Sequence, residues 1–169
     1  VSKLLHTISD FERMSDHAVN ISQAAAELYN EKLRFSDYAV EDIELMSSIM
    51  REIVGNVIDA FEQNKIVNAY KTEPLEEFVV IYCDEMKMNN VKRVQKGECS
   101  IHQGFIFNDL LTDFERIADH CSNVAVAIIE LEINAFDTHE YLINLKKDKG
   151  EAFDKYFEEY KEKFPMRSY

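Results

Sequence analysis

The sequence predicts an all-α fold, an antiparallel helical bundle, from three observations. Apolar residues recur at steps of three and four over most of the chain, which is the spacing of one helix face. The 169 residues include four glycines and two prolines, and the scarcity of these turn residues argues against a β-sandwich or a βαβ fold. The connections between the apolar stripes are short, as between antiparallel neighbours in a bundle. A chain of this length can bury a core without disulfides, so one domain is expected.

Two helices are expected in the first third of the chain. The first begins at or before residue 4, and its apolar stripe consists of Leu4, Ile8, Phe11, Met14, Ala18, Ile21, Ala25 and Leu28. A turn near residues 33–37 follows, and Ser36 is suited to cap the next helix because its hydroxyl can accept a backbone N–H. The stripe of the second helix consists of Ile43, Met46, Met50, Ile53, Val57 and Ala60.

Two more long helices and a charged tail are expected in the rest of the chain. The third helix is predicted from Thr72, with Pro74 in its first turn, to a stop at Gly97; the alternative is a start near Val67 with a kink at the proline. The fourth runs from about Ser100 to Asn134 on the most regular stripe: Phe107, Leu110, Phe114, Ile117, Cys121, Val124, Ile128 and Leu131. Residues 136–169 are predicted to form one or two short helices at the bundle edge, set apart by Gly150.

An eleven-residue segment occurs twice in the chain. DFERMSDHAVN at residues 10–20 recurs as DFERIADHCSN at residues 113–123, and a duplicated three-helix unit explains such a long period. The bundle, residues 1–135, then contains the last helix of a truncated first repeat (1–34) and a complete second repeat (36–135). The first helix must cover its stripe against this bundle, a missing segment or a second copy of the chain, and the last case predicts a homodimer through that helix.

Each copy of the segment carries a row of acidic residues. Glu12 and Asp16 are four residues apart, as are Glu115 and Asp119, so each pair stacks on the outer face of its helix. A bound cation would remove the repulsion within each pair, and their oxygens suit calcium, magnesium, manganese or iron. Neighbouring His17 and His120 would extend the choice to zinc. The alternative is two solvated faces with ion pairs within each helix, Asp10 to Arg13 and Asp113 to Arg116.

Charge and motifs exclude several classes of function. The net charge of -13 disfavours nucleic acid and anionic lipid as partners. No apolar run approaches the roughly 20 residues that span a bilayer, and the three cysteines show no C-x-x-C spacing. No catalytic motif is present, neither H-E-x-x-H nor a nucleophile elbow, so no catalytic residue and no organic cofactor are expected. Without an anion-binding loop, direct phosphate binding is not expected unless a metal bridges it.

The repeated segments resemble the PhoU family, whose members carry an E-R-x-x-D helix as the third helix of each of two three-helix repeats. Residues 97–125, GECSIHQGFIFNDLLTDFERIADHCSNVA, are more similar still to the PhoU-like domain of bacterial sodium/phosphate cotransporters. Residues 137–141, DTHEY, and the aromatic tail also resemble the end of those proteins. The resemblance implies a PhoU-like helical bundle that regulates phosphate uptake from the cytoplasmic side of the inner membrane, with a transporter membrane domain upstream and no reaction catalysed.

The resemblance also implies a metal site. Some PhoU proteins bind iron or zinc clusters on outer helix faces through paired acidic motifs, which makes Glu12, Asp16, Glu115 and Asp119 the candidate ligands. A second acidic motif is expected on the middle helix near Glu76, but Val80 stands where that motif would place an aspartate. The alternatives are a free-standing PhoU-type regulator, a metalloenzyme that uses the acidic rows, and a structural adaptor or oligomerisation domain.

Overall fold

The described part of the chain forms five helices in an all-α bundle, which confirms the predicted fold class. The computed structural model describes residues 2–135, 139–167 and 169, without the side chains of 2–4, 6, 133–135 and 139–149. The helices are α1 (Ser2–Asn30), α2 (Asp37–Gln63), α3 (Ile66–Gln95), α4 (Ile101–Ala135) and α5 (His139–Lys163). The predicted junction between bundle and tail at residue 136 and the side chain of Leu4 lie outside the described residues.

The core lies between α2, α3 and α4, which form an antiparallel three-helix unit. Ile49 and Ile53 on α2, Phe78 on α3 and Leu111 on α4 are almost completely buried there. Each contributes about 1.5–3 kcal/mol relative to an exposed side chain. α1 packs on α4 and α5 packs on α3, so each of these two helices is added to a different helix of the unit.

The structure confirms the two helix-end signals predicted at Ser36 and Gly97, and it shows a further cap at the start of α4. Ser36 caps α2 by accepting a hydrogen bond from the Ala39 N–H, and α3 ends before Gly97, which has a positive φ of 73°. At the start of α4, Ser100 Oγ accepts from the Gln103 N–H while Gln103 Oε1 accepts from the Ser100 N–H. This reciprocal pair is a capping box and satisfies two otherwise unpaired donors.

The predicted start of α3 at Thr72 is wrong, since the helix begins at Ile66 and Pro74 lies inside it. The alternative start near Val67 is correct to within one residue. A proline inside a helix removes one hydrogen bond, and burial offsets that loss here. Ala69, in the extra turns, is fully buried in a small cluster with Ala60, Ala125 and Ile129, and Leu75 next to the proline is also fully buried.

The tail also differs from the prediction. It contains one continuous helix, α5, and Gly150 lies within it instead of separating it from the bundle. Its docking against the bundle edge is as predicted: the ring of Phe157 lies 5.9 Å from that of Phe78 on α3, and the Tyr82 hydroxyl donates to the Phe164 carbonyl at 2.6 Å. Among the described residues, no helix combines the length and apolar character required to cross a membrane.

Candidate functional site

The two copies of the repeated segment face each other in the fold. One copy lies on α1 and the other on α4, and the two helices run antiparallel, so that His17 lies beside Asp113 and His120 beside Asp10. Both helices therefore present the same side chains to each other, and a local twofold axis passes between them. The two imidazole rings stack at this axis with their centroids 5.9 Å apart.

Six polar side chains join the two copies, and we call them the Asp–His–Asn lock: Asp10, His17, Asn20, Asp113, His120 and Asn123. On one side, Oδ1 of Asp113 lies 2.8 Å from Nδ1 of His17 and accepts a hydrogen bond from Asn20 at 3.1 Å. On the other side, the equivalent distances to Oδ1 of Asp10 are 2.9 and 3.5 Å. Each aspartate thus accepts from two side chains of the other helix, which fixes the register of α1 against α4.

The lock replaces the ion pairs that the sequence suggested within each helix. Asp10 and Asp113 contact the histidine of the opposite helix rather than Arg13 and Arg116. A surface pair within one helix contributes only about 0.2–0.5 kcal/mol. The aspartates and histidines of the lock are partly shielded, since the two imidazoles are 10–24% exposed and the two carboxylates 14–17% exposed, whereas the two asparagines are exposed. Partial shielding from water strengthens a hydrogen bond to a carboxylate.

The candidate ligand residues all lie outside the lock, and their surroundings differ between the helices. Glu12 and Asp16 on α1 are exposed, and so is Asp119 on α4. Glu115 is half-buried, because α3 covers that flank of α4, and it forms an ion pair with Lys87 of α3. The predicted outward direction of the acidic row therefore agrees with the structure on α1, whereas the row on α4 lies beside α3; the role of all four residues as metal ligands stays a prediction.

One carboxylate of α3 lies near the acidic row of α4. Burial, followed by the negative charge of Asp119, raises the pKa of Glu76. These two carboxylates from different helices are the kind of oxygen ligands that hard cations prefer. Val80 offers no further oxygen, and Lys87 already neutralises Glu115, so the residues present fit a metal only as a partial site.

Another cluster of three potential metal ligands was missed in the sequence. Glu27 on α1 and Glu31, just after its end, place carboxylate oxygens 3.4 and 3.0 Å from Nε2 of His102 on α4, and all three side chains are exposed. Two carboxylates and an imidazole suit a divalent transition metal, and the same arrangement also suits a protonated histidine held between two carboxylates. The cluster depends on the antiparallel packing of α1 against α4, which brings together residues 71 positions apart. The sequence could indicate it only if that packing were known.

A groove of about 350 Å³ links the lock to this cluster along the α1–α4 contact. It is open to solvent and lined by Asn20, Gln23, Ala24, Glu27, Asp109, Thr112 and Asp113. Its three carboxylates carry negative charge, which favours a cation or a basic group over an anion.

The cysteines are poorly suited to chemistry. Burial raises the pKa of Cys83, and it raises the pKa of Cys121 to about 12. The thiolate is the reactive and metal-binding form, so these two thiols are packing residues.

Comparisons with known proteins agree with the fold. The family model described as PhoU domain matches residues 43–128, a range that lies within α2, α3 and α4. The phosphate-specific transport system accessory protein PhoU homolog 1 of Thermotoga maritima is 22% identical over 129 residues, covering 76% of this chain and 55% of that protein. The phosphate-specific transport system accessory protein PhoU homolog of Streptococcus pneumoniae is 23% identical over 132 residues, covering 78% of this chain and 60% of that protein.

The chain thus spans a little over half the length of these curated relatives. Both are described as accessory proteins of phosphate transport, and neither is described as part of a sodium/phosphate cotransporter. Among solved structures, no significant match to the chain was found.

Proposed function

Because the chain belongs to the PhoU family, we propose that it is a non-enzymatic regulator of phosphate transport. The observation that carries this proposal is the family match over the three-helix unit, together with relatives described as accessory proteins of phosphate transport. The Asp–His–Asn lock is consistent with it, since the repeated polar residues join two helices to each other.

The relatives favour an accessory protein that acts on a transporter from the cytoplasmic side. The other reading, a domain joined to the membrane part of a sodium-dependent phosphate transporter, is supported by the resemblance of residues 97–125 and by none of the relatives above. A high-salt wash of the membrane fraction distinguishes the two. An accessory protein held by surface charges is released as screening increases, whereas a domain joined to membrane helices stays with the membrane.

The metal proposal is narrower than the regulatory one. We propose that a divalent ion, iron, zinc or another, binds the acidic rows weakly, through Glu115 and Asp119 with help from Glu76, and through Glu12 and Asp16 only if a further segment or a second copy completes the site. A cation such as calcium or manganese prefers six or more ligands. Elemental analysis after dialysis should therefore find less than one ion per chain; a tightly bound stoichiometric metal would instead favour the metalloenzyme alternative.

Phosphate uptake by the cell of origin tests the regulatory function. Deleting the gene should change the initial rate of radiolabelled phosphate uptake at high external phosphate, and the wild-type gene should restore it. The matched control is Lys155→Ala, which changes an exposed residue of α5 and should restore uptake fully. Uptake that is the same with and without the gene, at both low and high phosphate, would refute the proposal.

A further inference from the structure

Arg93, in the last turn of α3, is a buried arginine with unused hydrogen-bond donors. Its side chain is 1% exposed, and its Nη1 donates to Oδ2 of Asp42 at 3.1 Å. Its Nε and Nη2 are buried, and neither finds an acceptor in the part of the chain that the structure describes. An unsatisfied buried donor costs about 1–3 kcal/mol, and more when it is charged. Such a group in a folded protein requires an explanation.

The two unused nitrogens lie on the same edge of the guanidinium. The N–H groups of Nε and Nη2 point in parallel, and this edge is the fork that binds two oxygens of a carboxylate or phosphate. Aromatic rings lie against the planar group: its central carbon is 4.8 Å from the centroid of Phe107 and 5.7 Å from that of Tyr169. Contacts with ring faces stabilise the charge, but they leave donors in the plane of the group unpaired.

The chain after α5 covers this arginine. We call residues 165–167 and Tyr169 the tail cover. The Tyr169 hydroxyl donates to Glu98 at 2.7 Å, and Arg167, which is 61% exposed, pairs with Glu41. Surface ion pairs contribute about 0–1 kcal/mol each, so the tail cover is held far more weakly than the core beneath it. Local opening of such a segment costs much less than unfolding.

Lifting the tail cover would leave a space next to two cations. Lys96 also lies against the ring of Tyr169, with Nζ 4.5 Å from the ring centroid. Removal of this ring would uncover one face of the Arg93 guanidinium next to the Lys96 ammonium. The acidic groups of this region include Asp42, Glu98, Glu41 and Glu85. Asp42 is already paired with Nη1. When the tail cover lifts, Glu98 loses its hydrogen bond from Tyr169 and Glu41 loses its ion pair with Arg167.

We propose that the Nε/Nη2 edge of Arg93 is a binding site for a small oxyanion, with inorganic phosphate as the tetrahedral example, and that the tail cover closes it. This proposal differs from the expectation from the sequence that phosphate binds only through a metal, because a buried fork does not require an anion-binding loop. The inference rests on the geometry around Arg93 and holds whether or not the chain regulates transport.

Accessibility of Arg93 to phenylglyoxal, which modifies arginine, tests the tail cover. Modification at this residue is followed by peptide mass spectrometry in the whole chain. Tyr169→Ala should increase the rate of modification at Arg93 at least about tenfold. This factor corresponds to the lower free energy of local opening once the contacts of Tyr169 are lost. Tyr156→Ala is the matched control: it removes an aromatic side chain of α5 that lies against Lys71, and it should leave the rate unchanged. An equal rate in the Tyr169 variant and the wild type would refute the closing role.

Protection by phosphate tests the binding site. At constant ionic strength, inorganic phosphate should slow the modification of Arg93 in Tyr169→Ala and raise the melting temperature of that variant more than that of the wild type. Adding Arg93→Lys, which keeps the charge and loses the fork, should abolish the rise. Adding Lys96→Ala instead should make the rise in melting temperature smaller. This variant changes a surface residue, so it can be used if the Arg93→Lys variant does not fold. Faster modification without any effect of phosphate on rate or melting temperature would overturn the binding site.

Discussion

The same eleven-residue segment lies in two different surroundings, and the difference separates what the segment does by itself from what its neighbours add. On the face where α1 meets α4, matching residues are equivalent: Met14 is 8% exposed and Ile117, at the corresponding position, is 7% exposed. On the outer flank they differ, because α3 covers α4 and the described residues provide no such helix beside α1. Glu115 is therefore paired and half-buried, whereas Glu12 is exposed.

The comparison divides the repeated polar residues into two groups. Asp, His and Asn at the first, eighth and eleventh positions form the lock, and their environment is set by the local twofold axis. Glu and Asp at the third and seventh positions lie outside the lock, and their environment depends on which helix lies beside them. A shared sequence motif therefore predicts a shared helix–helix contact more reliably than it predicts a shared ligand site.

The largest expected difference between the two copies is in packing. Phe114 is 5% exposed in the core between α3 and α4, whereas Phe11 is only partly buried and contacts Phe61 edge to face at 5.3 Å. Phe114→Ala should lower the free energy of unfolding by about 3–5 kcal/mol, the usual range for a buried phenylalanine, and Phe11→Ala should lower it by about half as much or less. Urea unfolding followed by circular dichroism measures both, and equal losses would contradict the asymmetry.

The lock residues, in contrast, should contribute equally to the free energy of unfolding in the two copies. His17→Ala and His120→Ala each remove one charge-assisted contact and leave an aspartate with a single partner. We expect each to cost about 1 kcal/mol, since both sites are partly shielded. The pairs Asp10 with His120 and Asp113 with His17 should give matching coupling energies in double-mutant cycles. A large coupling on one side and none on the other would show that the local symmetry does not extend to the energetics.

Helix positions could be predicted from the sequence because apolar spacing and end signals act locally. Ser36 and Gly97 work through their immediate neighbours, and both were identified correctly. Pro74 was misplaced, because the burial of Ala69 against α2 and α4 overrides the local preference for a proline at a helix start. The break predicted at Gly150 was also wrong. One glycine in an exposed helix costs only about 1 kcal/mol, which is too little to end α5.

The site could be predicted only as far as the motif itself extends. The lock requires knowledge that α1 and α4 are antiparallel neighbours, although the spacing of Asp10, His17 and Asn20 at nearly whole helical turns was a signal that one face carries all three. The unused edge of Arg93 could not be predicted at all. It follows from where Asp42, Phe107 and Tyr169 lie in space, and no pattern within α3 indicates it.

Removing the cation beside the α4 copy should make the outer flanks more alike. Lys87→Met leaves Glu115 without its partner, and the expected loss of stability is within about 1 kcal/mol, because both side chains keep contact with water. The same change removes a positive charge near Asp119 and should therefore tighten the binding of manganese or zinc, measured by titration calorimetry. The control Glu12→Gln on α1 should change neither quantity, and unchanged metal affinity in Lys87→Met would argue against a site on the α4 row.

The smallest effect concerns the pH dependence at Glu76. Burial, and then the charge of Asp119, raise the pKa of this carboxyl above its ordinary value of 4.5, so the folded chain binds this proton more readily than the unfolded chain does. Ionised Glu76 therefore disfavours the fold, and its contribution becomes less unfavourable as the pH falls through the raised pKa towards 4.5. Glu76→Gln should raise the melting temperature slightly at pH 7, with the gain fading as the pH falls through the raised pKa and largely gone below 4.5. Glu12→Gln, the exposed counterpart beside α1, should have no such pH-dependent effect, and Asp119→Asn should produce part of the gain seen with Glu76→Gln because it removes the second cause of the shift.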